Sequence, residues 1–257
     1  MIENVYFFDV KMTVGTHKVF LDTIKKRLDS KNPAYICISN VHTTIMATED
    51  EKYKEINNAS FMSITDGMPL VYISRKFRKK KNIVRLTGPD LMLKILEGEQ
   101  FNEYKHFFYG STNETLKKML KNLSENYPHL NCVGHYSPPY RQLTLKEEDD
   151  IVKMINSKSP DFIWVGLGAP KQEVWMSKIV EKIDKGIMIG VGAAFDYHAD
   201  NIKRAPVIMQ KISLEWLYRL IQEPKRLFQR YFDTNTKFIY KLIKYEILKI
   251  NKNGDEN

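Results

Sequence analysis

The residues equipped for chemistry sit directly behind short apolar runs. The clearest stretch is Phe162 to Asp196, where IWVGLGAPKQEVWM is followed by GIMIGVGAAFDYH. Two Ile/Val-rich runs each end in glycines and then meet Lys171, Gln172, Glu173 and Asp196. Such a run reads as a buried parallel strand, glycine permits a sharp turn at its end, and ligands of parallel sheets bind outside the carboxyl ends of the strands. Spacing alone leaves Gly166, Gly168, Gly190 and Gly192 open as plain strand-end turns or as ligand loops.

Other candidates follow the same pattern. Asn40 comes after AYICIS in the polar loop SNVHTT, where it could meet a ligand while the two threonines cap a helix from Thr44 to Ile56. Asp66 belongs to ITDGMPLVY, and an Asp-Gly pair by itself signals a turn more than a catalyst. Arg85 stands inside an apparent strand from Asn82 to Thr87; an unpaired charge there is costly, so a partner or a phosphate is expected beside it. Gly110, Ser111 and Thr112 follow HFFYG at a helix start, whose open N–H groups suit a phosphate. Neither GxGxxG nor GxxxxGK[ST] occurs. The loop HYSPPYR carries two tyrosines that could stack on a base or pack on the loop.

The elements that must position these groups alternate. A small strand from Val5 to Val10 precedes a helix from about His17 to Leu28, and at least five apolar runs then alternate with helical patterns up to about residue 200. That order predicts an α/β fold, a largely parallel Rossmann-like sheet with flanking helices. The remainder, residues 201–257, reads as a separate basic amphipathic helical appendage to the domain of residues 1–200. Pro224 divides it into two short helices, and Phe238, Ile239, Leu242, Ile243 and Tyr245 form an apolar stripe beside Lys237, Lys241, Lys244 and Lys249. A helix of that kind lies on a membrane surface, on a partner, or on its own domain.

Composition narrows the classes. With 257 residues, 43% hydrophobic and 28% charged, the chain is long enough for a substantial core and is neither disordered nor membrane-spanning. The net charge of +9 points to a polyanionic partner without choosing among nucleic acid, nucleotide phosphate and anionic lipid. Cys37 and Cys132 both lie in apolar runs and read as buried, reduced thiols of a cytoplasmic protein, which argues against a cysteine metal site. MIENVYFFDV lacks the basic start and long apolar run of a signal peptide.

The ordered series SNVHTTIMA, DGMPLV, RLTGPDLM, FFYGS, GLGAPKQEVW, GVGAAFDYHADNIKRAP and LEWLYRLIQEPKRLFQRY resembles the WecG/TagA/CpsF family of bacterial glycosyltransferases over about residues 35 to 232. The resemblance implies an inverting, metal-independent enzyme without cofactor. It would move a sugar, typically N-acetylmannosamine, from UDP to a hexosamine on undecaprenyl diphosphate, in teichoic acid linkage-unit or surface polysaccharide synthesis. It makes Asp66 the general base and sets Asn40, Arg85, Gly110, Gln172 and Asp196 around donor and acceptor. Arg204, Arg219, Arg226 and Arg230 would bring positive charge over the diphosphates, as the C-terminal helices close the pocket and dock on the inner face of the cell membrane. The sequence departs from the family pattern at Ile38, at Ala193 and Asp200, which replace glycines, and at Gln229, where an arginine is frequent. Transfer from another UDP-hexose or a UDP-uronic acid remains an alternative, as does a non-catalytic polyanion-binding protein. A nicotinamide-dependent oxidoreductase is disfavoured by the missing glycine fingerprint. The implied partners include no nucleic acid, and a homo-oligomer is left open.

Overall fold

The computed structural model describes residues 2–211 and 214–244, apart from the side chains of Val207, Lys211 and Arg226. Tyr245 and Lys249 of the expected tail stripe lie outside the described residues.

A hairpin of β1 (Glu3–Phe7) and β2 (Val10–Val14) leads into α1 (His17–Asp29), capped by the Thr16 hydroxyl. After β3 (Ala34–Ser39) come α2 (Val41–Glu49) and α3 (Glu51–Ala59); Asp50 ends the first and caps the second with its carboxylate. The chain continues through β4 (Met62–Thr65), α4 (Met68–Phe77), α5 (Gly88–Leu96), β5 (Lys105–Gly110) and α6 (Asn113–Asn126). Then follow β6 (Asn131–Tyr136), α7 (Leu145–Lys158), β7 (Phe162–Gly166), α8 (Lys171–Ile179), β8 (Ile187–Gly190) and α9 (Ala194–His198). Beyond the sheet lie α10 (Val207–Lys211), α11 (Glu215–Gln222) and α12 (Pro224–Leu242).

Six strands form one parallel sheet in the order β4-β3-β8-β7-β5-β6, as the alternating pattern predicts. Successive strand residues face opposite sides, so each of the four central strands, β3, β5, β7 and β8, feeds two cores. Ile36, Phe108, Trp164 and Ile189 pack with residues of α1, α5, α6 and α9. Tyr35, Tyr109, Val165 and Met188 pack with residues of α7 and α8. Burial on both faces is why these strands read as unbroken apolar runs.

The structure corrects several local expectations, the first being the strand from Val5 to Val10, which is broken by a turn at Phe8 and Asp9 between β1 and β2. Residues 82–87 are not a strand: the segment runs beside β4 and makes one ladder-like bond, Leu86 N–H to Thr65 O at 2.9 Å. The sixth strand is instead β4, four residues long and hidden in the sequence by the Asp-Gly turn behind it. The helix expected from Thr44 begins at Val41 and breaks at Asp50. Cys37 is buried as expected, but Cys132 is exposed, because β6 is an edge strand with little packed over its first residues.

Pro224 does divide the C-terminal segment, yet it opens α12, a helix of 19 residues, at a position where its missing N–H costs nothing. One face of α12 returns to the sheet region. Leu227, Thr234 and Phe238 are buried, Phe238 meets Phe8 edge-on at 6.0 Å, and Lys237 pairs with Glu49 at 2.7 Å. A second face leaves Phe228, Phe232, Ile239 and Ile243 exposed.

Candidate active site

The carboxyl ends of β3 and β4 lie side by side, joined by the Asp66 N–H to Ser39 O bond at 2.8 Å, so Asn40 and Asp66 leave the sheet together. Asn40 caps α2: its Oδ1 accepts from Thr43 N at 3.1 Å while the Thr43 hydroxyl accepts from Asn40 N at 2.9 Å. That reciprocal box fixes Asn40 at the strand end and leaves its Nδ2 group outside the box.

Arg85 reaches Asp66 from the extended segment before α5. Its Nε donates to the Asp66 backbone oxygen at 2.6 Å, and its Nη2 lies 3.3 Å from Asp66 Oδ1 and 2.6 Å from Glu215 Oε2 on α11. His17 Nε2 holds the Arg85 carbonyl at 3.1 Å. The expected partner of this arginine is therefore a pair of carboxylates. Arg204 forms the next link, 2.8 Å from Asp90 Oδ1 and 4.0 Å from Glu215 Oε1. Tyr197 of α9 lies beneath two cations, with the Arg204 and Arg219 guanidiniums 5.9 and 5.7 Å from its ring centre.

The two aspartates of this cluster are pushed in opposite directions. Burial holds the Asp66 carboxyl above the usual carboxylate range, against the pull of Arg85 and with help from Glu215 and Asp90. Asp90 is part-buried, which pushes it up, but the Thr87 hydroxyl at 2.7 Å and Arg204 outweigh that and hold it below the usual range. Surroundings that drive two carboxyls apart in this way make them chemically distinct, one readier to take up a proton than the other. The Asp66 side chain keeps 28% of its surface, enough for a hydroxyl to approach.

Other predicted residues lie in different surroundings. Gln172 is buried; its Oε1 accepts from Gly168 N and Gly192 N, each at 3.1 Å, and its Nε2 donates to Glu173 Oε1 at 2.8 Å. Its amide thus ties the loops behind β7 and β8 together. Gly110 has φ +124°, and a Cβ there would meet the Gly166 carbonyl carbon at 2.6 Å, so glycine lets β5 and β7 close up. The next N–H, of Ser111, is taken by Gly166 O at 3.1 Å. Asp196 accepts from Asn201 Nδ2 at 3.3 Å, and the same amide group reaches Thr115 near the start of α6 at 3.0 Å. Arg219 pairs loosely with Glu223 at 3.9 Å. Arg230 stands near His42 of α2, which burial and that charge hold down to about 4. The side chain of Arg226 lies outside the described residues.

The model of the glycosyl transferase WecG/TagA/CpsF family matches residues 5–252. The chain belongs to this family. Two relatives, from Staphylococcus aureus strains MW2 and NCTC 8325, bear the name N-acetylglucosaminyldiphosphoundecaprenol N-acetyl-beta-D-mannosaminyltransferase. Each is 32% identical over 198 residues, covering 77% of this chain and 76% of the relative. As a WecG/TagA/CpsF glycosyl transferase, the protein places its charged cluster at the carboxyl end of the sheet, where parallel folds bind ligands.

Sequence reasoning about this WecG/TagA/CpsF member missed Glu215, Asp90 and Tyr197. Glu215 heads the EWLYRL segment and Asp90 sits in TGPD, both already singled out as motifs. The available signal was an acid beside an arginine-bearing helix; what could not be read was its closeness to Arg85, 130 residues earlier. Asp200, where a glycine is frequent, keeps a left-handed backbone at φ 57°, and its carboxylate accepts from Asn122 Nδ2 at 2.8 Å. Among the described residues no group of three or more His, Cys, Asp and Glu side chains is placed to hold a metal, and no helix is long and apolar enough to cross a membrane.

Proposed function

We propose that the protein transfers a sugar, N-acetylmannosamine in the first instance, from a UDP-sugar to a hexosamine carried on undecaprenyl diphosphate, with inversion at the anomeric carbon. One observation carries the mechanism: a carboxyl held above its ordinary range, Asp66, stands at the sheet's carboxyl end with Arg85 and Arg219 acting on it and Arg204 linked to Arg85 through Glu215. In a single displacement the acceptor hydroxyl oxygen attacks the anomeric carbon as Asp66 takes its proton. The bond from that carbon to the diphosphate oxygen breaks, and its electron pair leaves with UDP. A base raised toward the working pH is the more effective acceptor. Arginines fixed before the reaction stabilise the charge that builds on the leaving diphosphate, so the site needs no metal ion in this scheme. The acceptor named for the staphylococcal relatives supports the same lipid-linked substrate class.

Asn40, beside Asp66 at the end of β3, is assigned to orient the reacting hydroxyl or the donor sugar. Gln172 and Gly110 are assigned to shaping the loops around the donor, Asp196 to its nucleotide or sugar portion, and Arg226 and Arg230 to the lipid diphosphate. The exposed stripe Phe228, Phe232, Ile239 and Ile243 of α12 would rest in the lipid interface, with residues 201–257 as the docking segment.

The test is a donor screen with chelator present: purified protein, a lipid-diphosphate hexosamine analogue, a panel of UDP-sugars, and detection of UDP. Release that needs both the acceptor and one donor supports the reading and identifies the sugar. UDP binding without release from any donor would oppose it.

A further inference from the structure

We propose that Glu215 is a positioning residue for this transfer: by taking the short ion pair with Arg85, it keeps that guanidinium from capping Asp66 and leaves the Asp66 carboxylate available to the acceptor hydroxyl. The inference rests on the reading of Asp66 as the base.

The geometry divides one arginine unequally between two acids. Charge-assisted N–H to O bonds run at about 2.7–2.9 Å. Arg85 Nη2 meets Glu215 Oε2 at 2.6 Å but Asp66 Oδ1 only at 3.3 Å. Its Nε is spent on the Asp66 backbone oxygen at 2.6 Å, so Arg85 is anchored to the main chain of the aspartate more firmly than to its carboxylate. Glu215 is itself held: its side chain is 14% exposed, and Arg204, already paired with Asp90, stands 4.0 Å from its other oxygen. With Glu215 neutral, the Arg85 fork has the Asp66 carboxylate as its nearest anion and would swing onto it.

The charges facing Asp66 come from three further elements. Arg85 approaches from the segment before α5, Asp90 from α5, and Glu215 and Arg219 from α11; the Tyr197 hydroxyl of α9 faces the same group. Neutralising Glu215 removes one of the two anions and strengthens the hold of one of the two cations. Both changes favour ionised Asp66 and make it a weaker base. Because Glu215 arrives on α11, the base is poised only when the C-terminal segment is seated.

The experiment is the pH dependence of kcat/KM for acceptor-dependent UDP release, using the full chain and Glu215→Gln. The acid limb of that profile reports the base in the free enzyme. In Glu215→Gln the limb is expected to move to lower pH by about half a unit to one unit, with a several-fold lower plateau. Glu215→Asp keeps the charge and is expected to restore the wild-type limb. An unmoved limb in Glu215→Gln, or an equal shift in Glu215→Asp, overturns the proposal, since lost packing lowers the rate without moving the limb. Thermal melting establishes that each variant folds; should Glu215→Gln not fold, Glu215→Ser carries the same prediction with a smaller neutral side chain. Asp66→Asn separates the two readings. Wild-type release by Asp66→Asn removes both, whereas lost release there together with an unmoved limb in Glu215→Gln removes the role of Glu215 alone.

Discussion

The side-chain oxygen of Gln172 accepts from the backbone N–H of Gly192 at 3.1 Å, and from Gly168 at the same distance, so one buried amide joins two strand-end loops. Replacing it with leucine takes the side-chain partner from two part-buried N–H groups. Each such loss costs up to about 1–3 kcal/mol, so Gln172→Leu is expected to lower the unfolding free energy by about 2–6 kcal/mol in urea titrations. A variant of unchanged stability with a raised donor KM would make Gln172 a ligand contact and not a loop tie.

On the proposed reading, Asp66 sets function against stability. Its folded carboxyl titrates above the unfolded one, so the folded state holds more protons between the two values. Stability from this group is therefore complete below the unfolded value and is lost as pH rises through the folded one. Asp66→Asn is expected to melt higher than wild type at pH 7, to converge with it in acid, and to lose transfer by about 10²-fold or more while still binding the nucleotide. A lower melting temperature at neutral pH would contradict the placement of this carboxyl.

Buried His106 and part-buried His42 predict the opposite pH dependence. His106 stacks on Phe162 at 5.1 Å and accepts the Trp164 indole N–H at its Nδ1 at 3.0 Å, which requires that nitrogen to be unprotonated. Burial holds His106 down to about 4, and burial with the Arg230 charge does the same for His42. Unfolded histidine titrates near 6.5, so this stability is present above about 6.5 and is lost as pH falls toward 4. Denaturation midpoints are expected to drop between pH 7 and pH 5, and His42→Asn should flatten part of that slope; an unchanged slope would refute the role of His42.

The exposed stripe on α12 gives a binding prediction. Replacing Phe228, Phe232, Ile239 and Ile243 by serine removes apolar surface that is about half or more exposed, with Phe228 and Phe232 stacked on each other, so the melting temperature should change little. Sedimentation with anionic liposomes is expected to fall sharply, because insertion of the apolar face and the basic charge act together. Undiminished sedimentation would put the membrane contact elsewhere.

The sheet was legible because its central strands are buried on both faces: AYICIS, HFFYG, FIWVG and IMIG announce themselves as apolar runs. β4 and the Asn82–Thr87 segment exchanged identities for a physical reason. MSIT is short and half polar, its Ser63 hydroxyl meeting that of Ser39 at 2.8 Å inside the core, whereas NIVRLT has strand composition but only one bond to a strand neighbour. In the site, the family resemblance pointed to Asp66, Arg85 and Arg204, which the fold does bring into one cluster. It could not say that Gln172 turns inward to backbone, since a polar side chain behind a glycine loop reads alike in either direction. Glu215 was hidden because its meaning lies wholly in a contact made across the length of the chain.

That contact also imposes an order of events in time. Asp66 and Arg85 are synthesised long before Glu215, and the separation of 130 residues places their union among the long-range closures that come late in folding. A nascent chain can complete its sheet with the arginine still lacking its α11 partner. On the proposed reading the cluster around Asp66 is finished from the tail, so a chain cut short in α11 is expected to hold every strand and be without a poised Asp66.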